Sequence, residues 1–396
     1  MIKCTFLGDI MCKAELIDAF DNNHKYDFSP MFARMKHIFS QSDFVMGNLE
    51  TPISFDNSGL TDETFRFNSP HEFAEAVKDS GINAVATANN HCLDRGIGGI
   101  YSTVKSLDRI GLVHTGCLSQ DRDSAVVTVG KNLKLGLLSY TYGTNAFSNH
   151  EYLSFKERKS VNLFQNQELS NPIDRYCYNH QSHLLCRVYN KMIKCIWPEQ
   201  FTRPVYEHRE FDFLKKRDLR KQIQKIKKQG ADIVIMYMHA GGQYNDSPTT
   251  YTKELANWLI KNGVDIVVGS HEHVVHGGDF SCKNQGKLIT YSLGNFDGIA
   301  GVYAQPMDKM AEYSIAWHIY FNEEKENPVI ANTSYSVLKC IETQNKQIQT
   351  VPVYDLLMDS KISEEKVQLW KDMQQIAQTF SGTSISDIGP KEEYEI

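Results

Sequence analysis

The chain has 396 residues, 41% of them hydrophobic and 23% charged, with a formal net charge of −6. It can bury a large core, as one large α/β domain with an appendage or as two modest domains. The mild acidity and the lack of a dominant basic stripe argue against a nucleic-acid partner, and no window approaches the roughly 18 apolar residues of a membrane span.

In chain order, IKCTFL (2–7) is the first strand and ends at Gly8-Asp9. Its start, MIKCTFLGDIM, lacks a signal-peptide pattern. DFVMG (43–47) is a second strand, ending at Asn48-Leu49-Glu50, and INAVATA (82–88) a third, ending at Asn89-Asn90-His91. The helix that follows carries Ile97, Ile100, Tyr101, Val104, Leu107 and Ile110 on one face, at helical spacings. LKLGLLSYT (133–141) continues the strands. Residues 145–212, rich in Tyr, His, Cys, Asn and Lys, lack this rhythm and read as an insertion with a helix near 178–196. A helix near 212–229, whose basic run at 215–228 is a solvated face, leads to the strand ADIVIMYM (231–238) and His239. A helix near 250–262 leads to VDIVVGS (264–270) and His271-Glu272-His273, and KLITYSLGNF (287–296) is a further strand and turn. Past 310 the pattern alternates as β structure, and a final helix near 363–380 carries Val367, Trp370, Met373, Ile376 and Phe380. The expected division is a domain of 1–310 and a β-rich C-terminal extension of 311–396 ending in that helix. Nine cysteines without CxxC spacing suit a reducing compartment, so the expected location is cytoplasmic.

Strands feeding helices predict a mostly parallel sheet with helices outside. Ligands in such folds gather beyond the carboxyl ends of strands, where this chain places Asp9, Asn48, Glu50, Asn90, His91, His239, His271 and His273. Each alone has an ordinary explanation: Asp9 a helix cap, His239 a hydrogen-bonded loop histidine, His271 and His273 surface residues. Five strand ends that all carry potential ligands point to a metal site. Carboxylate, carboxamide and imidazole suit Mn²⁺, Fe²⁺ or Zn²⁺ better than Ca²⁺. Two ions would share a carboxylate, with Asp9 and Glu50 the acidic candidates, and phosphoester hydrolysis is the default chemistry of such a cage.

GDIM (8–11), GNLETPIS (47–54), ANNHCLDRG (88–96), HAGGQY (239–244), GSHEHV (269–274) and YSLGNF (291–296) occur in that order. The series resembles the bacterial capsule-synthesis family of the CapA type, associated with poly-gamma-glutamate. Its domain is similar to the calcineurin-like metallophosphoesterases, which implies a four-layer α/β/β/α sandwich. The resemblance implies Asp9 and His273 on one divalent ion, Asn90, His239 and His271 on a second, and Glu50 bridging them. It makes His91 the general acid or transition-state donor beside the leaving oxygen, with Asp94 orienting it or else capping the helix that starts near Ile97. Arg66 could meet a substrate anion bidentately or make a surface ion pair, and Asn48 and Asn295 are candidate substrate contacts.

The chain departs from those families in places. Met11 stands where the phosphoesterases usually carry a histidine, Glu50 where their bridge is usually Asp, and Ala240 and Gln243 where the capsule family usually has Trp and Glu. Members of that family are commonly membrane-anchored or exported, and no such segment is read here. Cys177, His180, His183 and Cys186 recur every three residues, with Cys195 beyond. That spacing drifts around a helix, so an ordinary helix is expected there and not a zinc site. The whole reads as a metal-dependent hydrolase with two divalent transition-metal ions (Mn, Fe or Zn). Its substrate would be a phosphate ester or related anionic bond in a small molecule or polymer, with a link to capsule or poly-gamma-glutamate synthesis implied by the resemblance. A non-hydrolytic accessory protein of polymer biosynthesis, and a metal-dependent transferase or amide-bond enzyme, are the alternatives. Oligomeric state is not legible.

Overall fold

The computed structural model describes residues 1–118, 125–167, 183–196, 213–297, 310–322 and 329–396, apart from positions 24, 62, 64, 155 and 166. The apolar runs form two sheets. In the first, β1 (Ile2–Ile10), β2 (Phe44–Leu49), β3 (Ala84–Ala86) and β4 (Val113–Thr115) lie parallel. The second holds β5 (Ala125–Val129), β6 (Leu133–Thr141), β7 (Ile233–His239), β8 (Ile266–Ser270), β9 (Val275–Asp279) and β10 (Leu288–Leu293), in the order β5-β6-β7-β8-β10-β9. β11 (Tyr313–Asn322), β12 (Val329–Glu342), β13 (Ile348–Pro352) and β14 (Tyr394–Glu395) return to the first sheet, which runs β13-β12-β11-β1-β2-β3-β4 with β14 on β12. The strands after residue 310 therefore share a sheet with the first strand, β11 pairing antiparallel with β1.

Parallel strands covered on both faces are apolar throughout, and β1, β2 and β7 are buried at every residue. Phe6, Met46 and Trp317 of the first sheet meet Leu135, Tyr237 and Val268 of the second in one core. Outside the first sheet, Leu7 and Val45 pack with Ile17, Phe32, Phe73 and Leu107, from helices Ala14–Ala19, Ser29–Phe32, His71–Asp79 and Gly96–Ile110. Outside the second, Val234 and Met236 meet Leu219, Ile223 and Leu259, from helices Phe213–Lys228 and Thr250–Lys261. This is the α/β/β/α order that the resemblance implied.

Some local expectations are corrected. In the last helix, Ser363–Ser381, the buried stripe is Leu369, Met373, Ile376, Ala377 and Phe380, while Val367 is exposed. At about 100° per residue Val367 falls on the side opposite Leu369. Tyr101 likewise lies exposed on its helix. Of the insertion, helices Ala146–Asn149 and Leu184–Ile196 are described; Cys177 and His180 lie outside the described residues, and Cys186 is buried while Cys195 is exposed. No helix among the described residues is long and apolar enough to cross a membrane.

An irregularity in β1 aims the polar end of the strand. β1 pairs with β2 up to Phe6–Met46 and resumes at Asp9–Asn48, so β1 carries one extra residue. Such a bulge inverts the alternation of a strand: Leu7 and Ile10, three apart, both face the helices. Asp9 is thereby turned toward the second sheet. The Tyr237 hydroxyl, reaching across from β7, lies 2.6 Å from the Met46 carbonyl oxygen and 3.2 Å from that of Leu7. At Gly8 the two sheets approach so closely that a Cβ would overlap the Gly294 carbonyl oxygen, which itself accepts from Asp9 N at 3.0 Å. Gly8→Ala should therefore cost about 3 kcal/mol or more of stability. An unchanged denaturation midpoint would show that the backbone here gives way easily.

Candidate metal centre

Strand register brings the polar ends level. Asp9 lies beside Asn48 and Asn48 beside Ala86 in the first sheet; Thr141, His239 and Ser270 form a row in the second. The turns that follow carry Glu50, Asn90 and His91 from one side and His271 and His273 from the other. The rows are tied across the sandwich, His271 N donating to Asp9 Oδ2 at 3.1 Å and Phe296 N to the Asp9 carbonyl at 2.8 Å. His271 and His273 have φ of +97° and +61°, which costs a non-glycine residue about 1–3 kcal/mol. That backbone keeps the rings gathered: His271 lies 4.7 Å from His239 and 5.9 Å from His273 between centroids.

Ligand atoms of Glu50, His239 and His271 all lie within 4.8 Å of one another, as do those of Asp9, Glu50 and His273, and every one of these side chains is buried. Glu50 belongs to both groups. Asn48 stands between the carboxylates, its Nδ2 2.8 Å from Asp9 Oδ1 and 3.4 Å from Glu50 Oε2. Glu50 Oε1 is buried without a hydrogen-bond partner among the described residues, 3.6 Å from His239 Nε2 and 3.9 Å from His273 Nε2. Burial, and then the charge of Asp9, push the Glu50 carboxyl well above the usual carboxylate range. Burial acts on Asp9 in the same direction, but His273, His239 and the Asn48 amide outweigh it and hold Asp9 below its ordinary value. Burial drops His239 to about 3, so its imidazole is neutral at pH 7, the form that binds a metal. Two carboxylates buried side by side, one oxygen unpaired, are a deficit that a divalent cation removes. The donors present fit such an ion.

Neighbours fix the rings. His239 Nδ1 lies 3.0 Å from Ser270 Oγ and its Nε2 2.8 Å from Asn90 Oδ1, while His273 Nδ1 lies 2.8 Å from Asn295 Oδ1. Such contacts orient imidazole ligands. His91 Nδ1 lies 2.7 Å from Asp94 Oδ2, an oxygen that also accepts from Phe67 N at 2.8 Å, and Asp94 Oδ1 accepts from Asn149 Nδ2 at 2.7 Å. The helix Gly96–Ile110 has no side-chain cap, so the Asp94 carboxylate is spent on His91 and the surrounding loops.

The structure thus brings together Asp9, Asn48, Glu50, Asn90, His239, His271, His273 and Asn295, with the His91–Asp94 pair on the turn beyond Asn90. Asn48 and Asn295 are each 1% exposed and direct their amides to Asp9, Glu50 and His273. Arg66 donates Nε to the Asp94 carbonyl at 3.1 Å and faces Glu63 and Glu151, each at 3.8 Å. Residues that the sequence reading passed over are Ser270 and Asn89, the latter donating to the Leu49 carbonyl at 2.7 Å. Both lie inside motifs already in view. Phe67, stacked 4.1 Å from the His91 ring, and Tyr142, 4.6 Å from that of His271, carried no sequence signal.

The family model described as Bacterial capsule synthesis protein PGA_cap matches residues 3–298. The chain is 26% identical over 302 residues to the Capsule biosynthesis protein CapA of Bacillus anthracis, covering 74% of this chain and 59% of that one. It is 24% identical over 299 residues to the PGA biosynthesis protein CapA of Bacillus subtilis (strain 168), with shares of 75% and 63%. An uncharacterized protein of Sinorhizobium fredii, y4sH, is 24% identical over 320 residues, with shares of 73% and 64%. The aligned region spans 59–64% of the length of these relatives.

Proposed function

The chain belongs to the bacterial capsule synthesis protein PGA_cap family, and from that premise we propose that it is a metal-dependent hydrolase with a dinuclear centre, acting on a phosphate ester or a related anionic bond. The observation that carries this reading is Glu50, a buried carboxylate common to two candidate ligand groups, with one oxygen lacking a hydrogen-bond partner among the described residues. Asp9 and His273 would hold one ion and Asn90, His239 and His271 the other, with Glu50 between them; Mn²⁺, Fe²⁺ or Zn²⁺ suits these donors. When bound, the ions would neutralise the carboxylates and stabilise charge on the oxygens of an in-line displacement.

The remaining chemistry belongs to the side chains. With Nδ1 donating to Asp94 Oδ2, the imidazolium form of His91 would carry its second hydrogen on Nε2, and from there it would protonate the leaving oxygen and become neutral imidazole. Asp94 and the stacked Phe67 hold that ring in place. Asn48 spaces the two carboxylates and Asn295 fixes His273, so both position ligands. Arg66 anchors the Asp94 turn, and it would reach an anionic substrate by leaving Glu63 and Glu151. Met11 contributes no donor, which leaves Asp9, Glu50 and His273 as the protein ligands on that side. The substrate would be an anionic small molecule or polymer. The names of the relatives support a role in capsule or poly-gamma-glutamate synthesis. The eight free cysteines among the described residues fit the cytoplasm.

Elemental analysis of protein purified without chelator should find about two transition-metal ions per chain, and a phosphoester screen run with that metal should find turnover. Protein that holds no metal, and takes none up on reconstitution, would sink the hydrolase reading.

A further inference from the structure

Beyond the ligand side chains, the loop after β7, Ala240-Gly241-Gly242-Gln243-Tyr244, is held against the centre from below. Gly241 has φ of +126°, and a Cβ there would overlap the buried Glu272 carboxylate. Tyr244 N donates to the Glu272 carbonyl at 2.8 Å, and the Asn245 carbonyl lies 2.7 Å from His276 Nε2. These anchors hold Tyr244 at φ +59°, a left-handed conformation that a bulky aromatic residue rarely adopts. Strain of this kind persists where the surroundings over-determine it, and it clusters at functional sites.

The strained residue sits over a ligand. The Tyr244 ring lies 5.6 Å from the His273 ring, and Gln243 Nε2 lies 3.3 Å from His273 Nε2. Both side chains are half-buried, unlike the fully enclosed ligands beneath them. Tyr244 packs against Val274 and Ala311, and its hydroxyl makes no hydrogen bond among the described residues. A phenol is protonated at neutral pH, so this hydroxyl is a donor there.

We propose that Tyr244 is a substrate-contacting residue, its hydroxyl donating a hydrogen bond to an oxygen of the tetrahedral oxyanion bound over His273 and Glu50, with Gln243 beside it. The inference rests on the metal-centre reading above. It gives a reason for the strain, since relaxing the backbone would carry the ring away from His273. A neutral donor is the group such a place requires: it recognises an anion without adding charge that would compete with a metal.

The test is calorimetric titration of inorganic phosphate into the Mn²⁺-loaded full chain, for wild type and Tyr244→Phe, with metal content measured on the same samples. Losing one charge-assisted hydrogen bond should weaken phosphate binding about tenfold while metal content and melting temperature stay at wild-type values. Wild-type phosphate affinity in metal-replete Tyr244→Phe would overturn the proposal. Wild type that holds metal but binds no phosphate would overturn it too, while leaving the metal centre standing. Wild type that holds no metal would fail the underlying reading first, and this inference with it.

Discussion

His91→Ala should lower kcat by about 100- to 10,000-fold, with metal content and melting temperature near those of wild type. His91 is in neither ligand group, so its loss should not empty the centre. Its ring is held on one side by Asp94 and stacked on the other by Phe67, an arrangement that fixes both tautomer and direction. Asp94→Asn should reproduce a smaller part of the loss, because an amide oxygen can still accept from Nδ1 without stabilising the charged imidazolium. Measured turnover with the substrate found in the phosphoester screen decides the matter. Function that survives in His91→Ala would favour the accessory-protein reading, and product formed only when an acceptor is supplied would favour a transferase.

Glu50→Gln should show the converse profile, with metal lost and the metal-free fold retained. The substitution keeps the volume of the side chain and removes the charge shared by the two ligand groups. Affinity for the ions should fall about 100-fold or more, beyond what losing an outer contact costs. Metal-dependent stabilisation, about 2.7 kcal/mol when free metal is a hundredfold above Kd, should then vanish from melting curves. After chelation the variant should melt at or above wild type, because wild type keeps two carboxylates in one buried pocket and the variant keeps one. A variant that still carried wild-type metal would mean that Glu50 does not bridge, and the shared-ligand geometry would lose its chemical meaning.

Much of the fold was legible because its signals are local. The run at 133–141 reads as a strand and is one, as β6, and the helix expected near 250–262 runs from Thr250 to Lys261. Apolar runs of strand length, each ending in Asp, Asn, Glu or His, mark parallel strands whose polar tips lie beyond the sheet. β9 was not legible because its Val-His-Gly-Gly-Asp sequence lacks an apolar alternation, and it is a strand only because β10 pairs with it. The place of β11 beside β1 left no trace either. Loop-closure cost grows slowly with separation, so a pairing of Ile2 with Phe321 imposes little on the residues between.

The site divides in the same way. By itself the sequence determined the donor types and their order along the chain, since the chemistry of Asp9, Glu50, Asn90, His239, His271 and His273 and their positions after apolar runs are properties of single segments. It also determined the His91–Asp94 spacing that lets one residue orient the other within a turn. Tertiary structure alone decided that one extra residue in β1 turns Asp9 inward, and that the buried Asn48 and Asn295 meet Asp9 and His273. It alone brought Tyr244, at a positive φ, over His273. Those outcomes depend on strand register, on the contact of Gly8 with Gly294, and on two sheets meeting face to face. Each is a distance between segments far apart in the chain, set by packing and recorded in no single segment.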